Sequence, residues 1–121
     1  MSPVPLHLDT EEIGDITVAT LRDSKIVEDP IVQKVGQELF ALVDDERRKK
    51  IVLEFSRVKI LSSAAIAKLV RLREKVKAAN GNLRLCCLGR EVREFFACYY
   101  PDQSRCPFDI KATLAEALDG F

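Results

Sequence analysis

Ser62 and Ser63 are the residues of this chain best placed to do chemistry. They follow the apolar segment Ile51-Val-Leu-Glu-Phe55 and its continuation Ser56-Arg-Val-Lys-Ile-Leu61, and they open the best amphipathic stretch in the sequence. The pattern makes Ser62 the N-cap and Ser63 the first helical residue. A hydroxyl there sits beside unpaired backbone N–H groups and the positive end of the helix dipole, where a phosphate is well tolerated. Neither serine has Glu or Gln three positions on; Ala65 and Ile66 stand there, so no capping box occupies them. The small neighbours Ala64, Ala65 and Ala67 leave the turn open to an approaching protein. On local chemistry alone, a plain serine cap is the commoner explanation of the pair.

Other chemistry is poorly supplied. The only histidine, His7, lies near the start of the chain and reads as a surface residue, so a Ser-His-Asp or Cys-His arrangement has no well-placed base. The five glycines, at 14, 36, 81, 89 and 120, are scattered singly and form no phosphate-cradling loop. Asp23, Asp29 and Glu54 have no metal-ligand spacing and read as caps or solvated groups. Cys86, Cys87, Cys98 and Cys106 contain no C-x-x-C pair; they read as buried, reduced thiols, with Cys86 and Cys87 on opposite faces of a strand. The expectation is a protein without catalytic residues, metal or cofactor.

Charge and length narrow the classes further. Nineteen basic and nineteen acidic residues cancel, so no overall field favours nucleic acid or an anionic membrane. The basic run Arg47-Arg-Lys-Lys50 is brief and reads as a solvated turn. Apolar runs are short, and Met1-Ser-Pro-Val-Pro-Leu6 lacks the features of a signal peptide, so a soluble, cytoplasmic protein without membrane insertion is expected. The 121 residues suit one compact domain, 1–121.

Several elements must position the serines. Ile16–Leu21 alternates and is β-branched, predicting a strand, with a short one before it near Leu6–Leu8. After the break at Arg22–Lys25, Asp29-Pro30 predicts a helix start with Asp29 as N-cap, and Ile31, Val35, Leu39 and Leu42 share a face up to Asp44-Asp45. Ile51–Phe55 predicts a central strand. From Ser63 to Ala79 the apolar positions 65, 69, 72, 76 and 79 recur at helical spacing, closed by Asn80-Gly81 with Gly81 as a left-handed cap. Leu83–Leu88 predicts a strand, Arg90–Tyr100 a helix stopped by Pro101, Phe108–Ile110 a strand, and Thr113–Leu118 a helix with a possible Thr113/Glu116 capping box. Phe95 and Phe96 read as core, with one of Tyr99 and Tyr100 reaching water. Alternating strands and helices with short connections predict an α/β fold with a largely parallel sheet.

From Ile51 onward the chain resembles the STAS domain, the module of anti-sigma factor antagonists and of sulphate-transporter tails. The strand Ile51–Phe55, the serine pair, the long helix, Asn80-Gly81-Asn-Leu-Arg-Leu-Cys-Cys-Leu88, Glu91-Val-Arg-Glu-Phe95 and Phe108–Leu118 arrive in the family's order. The resemblance implies a mixed, mostly parallel sheet of four to five strands, antiparallel near the N-terminus, with about four helices. In the family's motif an aspartate precedes two hydroxyl residues and a glycine, and the second hydroxyl is the phosphoacceptor. Carried over, the acceptor is Ser63, with Ser62 second choice; Leu61 replaces the aspartate and Ala64 the glycine.

The resemblance further implies a non-enzymatic partner switch in the regulation of transcription. The unmodified antagonist binds an anti-sigma factor that is also a serine-protein kinase; phosphorylation ends the binding, and a phosphatase is a possible third member. Ser62, Ser63 and Ala64 would form the contact, extended by the helix cations Lys68, Arg71 and Lys75, which equally fit an ordinary solvated face. The alternative is a scaffold or transport-complex subunit that binds a protein without phosphorylation.

Overall fold

The computed structural model describes residues 7–121. The chain forms strands β1 (Leu8–Ile13), β2 (Ile16–Leu21), β3 (Lys25–Ile26), β4 (Lys50–Glu54), β5 (Ile60–Leu61), β6 (Asn82–Cys86) and β7 (Asp109–Lys111). The helices are α1 (Asp29–Asp44), α2 (Ser63–Ala78), α3 (Arg90–Tyr99) and α4 (Leu114–Leu118). The main sheet has the order β1-β2-β4-β6-β7, with β1 antiparallel to β2 and every other pair parallel. It is the mixed, mostly parallel five-stranded sheet with four helices that the resemblance implied.

β4 sits at the centre because three successive residues, Ile51, Val52 and Leu53, are fully buried, which requires cover on both faces. On one face Ala19, Leu21, Ile51, Leu53 and Leu85 meet the apolar stripes of α1, α2 and α3 in the main core. On the other, Val18, Val52 and Cys86 meet Ala117 of α4. α2 therefore lies on the thicker side of the sheet, its buried stripe Ala65, Ile66, Leu69, Leu72 and Val76 pinned against the core.

β1 is longer than the expected strand near Leu6–Leu8, of which Leu6 lies outside the described residues. Asp9, Glu11 and Glu12 disguise it, since acidic residues are poor strand formers; at a sheet edge such charges guard the free hydrogen-bonding side. Carboxylates of β1 and of the turn that follows it also explain the basic turn: Arg48 pairs with Glu12 and Lys50 with Asp15. The Lys50 ammonium at 2.7 Å holds the Asp15 carboxyl below its ordinary range.

Several local expectations are corrected. Glu28, not Asp29, is the N-cap of α1: its carbonyl accepts from Val32 N–H at 2.9 Å, placing Asp29 inside the first turn. The left-handed residue after α2 is Asn80 (φ 61°), and Gly81 is required for a different reason: a Cβ there would sit 2.2 Å from the Lys49 carbonyl oxygen. The Leu83–Leu88 strand ends at Cys86, and Cys87 turns left-handed (φ 61°), so both cysteines pack into the cluster beneath α4 instead of opposing each other. All four thiols are free, but Cys86 alone is buried and Cys98 is exposed on α3. Burial pushes the Cys86 thiol up to about 12. His7 is not a surface residue: Arg22 N–H donates to its carbonyl, bringing its half-buried ring against Asp23. Glu116 accepts from Ala112 N–H while Thr113 Oγ1 accepts from Glu116 N–H, a capping box displaced by one residue. Phe96 is buried and Tyr99 is the exposed tyrosine, with Phe95 only partly covered.

Candidate functional site

The two serines have different roles. Ser62 has extended dihedrals and its Oγ accepts from Ala65 N–H at 3.2 Å, while its carbonyl accepts from Ile66 N–H at 3.1 Å; it is the cap of α2. Ser63 is the first residue of a sixteen-residue helix and is exposed. Among the described residues no hydrogen bond engages its hydroxyl. The N–H groups of Ser63 and Ala64 lie ahead of the first intrahelical bond, and no acidic side chain stands in the first turn of α2. The exposed alcohol thus sits at an uncompensated positive helix end, where an added anion would be stabilised.

What surrounds it comes from two segments to which the linear pattern assigned no element of their own. β3 and β5 form a small parallel pair, Lys25 opposite Ile60 and Ile26 opposite Leu61. Ser24 carbonyl accepts from Lys59 and Ile60 N–H, and Ser62 N–H donates to Ile26 carbonyl at 3.0 Å. Ile26, Val58 and Leu61 anchor this unit in the core, each 3% exposed or less. Alternation then turns their neighbours outward: Val27 is 43% and Ile60 50% exposed. The mouth of α2 therefore carries an unengaged hydroxyl, small Ala64 and Ala67, and two exposed branched aliphatic side chains. The sequence reading gave neither Val27 nor Ile60 a place at the site; the β-branched Ile26-Val27 pair and the alternation of Val58, Ile60 were the available signals.

Leu61, which the resemblance sets at the family's aspartate position, has its side chain in the core. No carboxylate can approach the Ser63 hydroxyl from there.

The helix cations fall into a different setting from the serines. Lys68 packs its stem on Gly36, where a Cβ would meet its Cδ at 2.9 Å, and its ammonium lies 5.9 Å from the Phe40 ring centroid. Lys75 bonds Asp44 at 2.9 Å and lies 5.3 Å from the same ring. Both are thus engaged in packing α2 against α1. Arg71 pairs with Glu74 on the exposed side. At 1.5 Å rise per residue, Arg71 and Lys75 lie about 12 and 18 Å along the axis from Ser63. The structure brings Ser62, Ser63 and Ala64 together with Val27 and Ile60, and sets Arg71 and Lys75 well apart from them.

Comparison with known proteins agrees with this architecture. The STAS domain model matches residues 8–117. The chain belongs to the STAS domain family. Solved STAS structures superpose along nearly its whole length. An anti-sigma-factor antagonist STAS domain protein from Planctomyces limnophilus is 18% identical, with 91% of this chain and 92% of that one covered at a TM-score of 0.75. The Bacillus cell fate determinant SpoIIAA in its phosphorylated form is 17% identical, with 93% and 96% covered and a TM-score of 0.67. The murine Solute Carrier 26 family member A9 anion transporter is 14% identical, and this chain covers only 18% of it, at a TM-score of 0.69. No curated protein is significantly similar in sequence. Among the described residues no acidic, histidine and cysteine cluster could hold a metal, and no helix is long and apolar enough to cross a membrane.

Proposed function

We propose that this STAS domain is an anti-sigma factor antagonist-like regulator that works without catalysis of its own. It binds an anti-sigma factor with serine-kinase activity while Ser63 is unmodified, and phosphorylation of Ser63 releases it. One observation carries the reading: of two adjacent serines, one is used as a helix cap and the other is exposed at the helix start with its hydroxyl unengaged. SpoIIAA, which shares the fold, is known in a phosphorylated form.

The physics of the switch follows from the location. A phosphate adds about −1.5 to −2 charges, which the α2 N-terminus tolerates, so the domain itself stays folded. The penalty falls on the interface. Val27 and Ile60 invite an apolar contact that excludes water, and a doubly charged group buried beside it without a partner costs several kcal/mol. Purifying the protein from its own cells with phosphatase inhibitors, and mapping phosphate by mass spectrometry, tests the reading. Phosphate at Ser63 supports it; an unmodified Ser63 that also fails to accept phosphate from the co-purifying kinase with ATP defeats it.

A second reading, a constitutive scaffold or transport-complex subunit, is favoured by Leu61. Its buried side chain removes the carboxylate that accompanies the acceptor hydroxyl in the family's motif. The two readings part at Ser63→Asp: a switch loses its partner, whereas a scaffold that uses another face keeps it.

A further inference from the structure

Between α3, the short turn Gln103–Arg105 and β7 lies a hollow of about 460 Å³, open on one side. Its size falls within the range of small-molecule sites. Part of its wall is aromatic and preformed. Phe96 and Phe108 meet edge to face at 5.8 Å, and Tyr100 packs against Phe108 at 6.4 Å. Phe96 and Phe108 are themselves largely buried, so their rings are held by the core whether or not anything occupies the hollow.

The charges around it are unequal. Asp109 at one edge is bound by Arg84 and by Lys111, each at 3.3 Å, and its charge is compensated. Arg93 also lines the hollow and is exposed on α3. Among the described residues it makes no ion pair, and its own helix offers none: three and four residues away stand Gly89, Arg90, Phe96 and Ala97. The other arginine of α3, Arg90, is paired with Glu94 at 3.1 Å. A hollow that is more apolar than polar, with three aromatic side chains in its wall and a single uncompensated guanidinium at its rim, suits a ligand with an apolar body and one planar anionic head, because a carboxylate matches the guanidinium fork bidentately.

We infer that this hollow binds a small monocarboxylic acid with an apolar body, its carboxylate on Arg93 and its body against Phe96, Tyr100 and Phe108. The hollow shares no lining residue with the Ser63 site, and the inference does not depend on the partner-switch reading.

Titration of the full-length protein with 2-naphthoate, followed by backbone amide NMR, tests this directly, with 2-naphthamide as the uncharged control. The expected result is a Kd on the order of 0.1–1 mM. Shifts should cluster on α3, residues 103–106 and β7, with the acid bound about tenfold more tightly than the amide. Arg93→Gln should erase that preference, and Ala97→Trp, at an exposed position lining the hollow, should abolish binding of both while leaving the melting curve unchanged. Decanoate run in parallel distinguishes a fatty from an aryl body by whichever acid binds more tightly. Equal binding of acid and amide, a preference that survives Arg93→Gln, shifts centred elsewhere, or no shift with naphthoate at about ten times that Kd would each overturn the assignment.

Discussion

The two ends of α2 are built to opposite requirements. At its C-terminus the chain turns through left-handed Asn80 into Gly81, which is pressed so closely on Lys49 that no side chain fits, and Asn82 N–H then donates to the Lys49 carbonyl at 2.7 Å. That end is closed by backbone contact and leads straight into β6. At the N-terminus Ser62 closes the cap, but the next residue is exposed, its hydroxyl is unengaged, and Val27 and Ile60 stand outward beside it. The same helix is thus anchored at one end and accessible at the other. A rigid element that offers an unengaged group at one terminus can present that group without itself moving, which is what a charge-based switch at an interface requires.

The largest effect should come from charging the open end. Ser63→Asp or phosphorylation should weaken partner binding by roughly a thousandfold, read by calorimetry, with little change in circular dichroism or melting temperature. If the domain unfolds instead, the accessible end is structural and the contrast fails. Next comes the closed end: Gly81→Ala should cost about 3 kcal/mol or more in urea unfolding, because the clash is with backbone and not with a flexible side chain. An effect on partner binding there, with stability intact, would reverse the assignment of the two ends. Ile60→Asp should lower partner affinity by about tenfold to a hundredfold at unchanged stability, in the manner of a central apolar contact. The smallest effects separate the neighbouring serines: Ser62→Ala should lose about 1 kcal/mol of stability as a removed cap, and Ser63→Ala within about 0.5 kcal/mol of none.

Much of this was legible in the chain. The β4 run, the apolar stripe of α2 and the roles of Ser62 as cap and Ser63 as first helical residue follow from periodicity and cap chemistry, which act over a few residues. β1 was misjudged because acidic residues argue against a strand, and only its edge position makes them suitable. β3 and β5 are two residues each, too short to show a period, and exist only because they pair with one another. Gly81 was assigned to the right turn for the wrong reason: the need for glycine comes from Lys49, more than thirty positions earlier in the sequence. The lysines of α2 share a face by spacing, yet Phe40 and Asp44 of α1 decide what two of them touch.

The sequence by itself determined the alternation of strands and helices, the α/β class and a serine at a helix start, since these depend on local propensity and on hydrophobic period. Which aliphatic side chains stand beside the open serine, and which cations are bound up in packing, were decided by the tertiary structure. The physical reason is that a cap bond closes within three or four residues, whereas side-chain exposure and helix-to-helix contacts are properties of segments distant in sequence, settled only when β3 meets β5 and α1 meets α2.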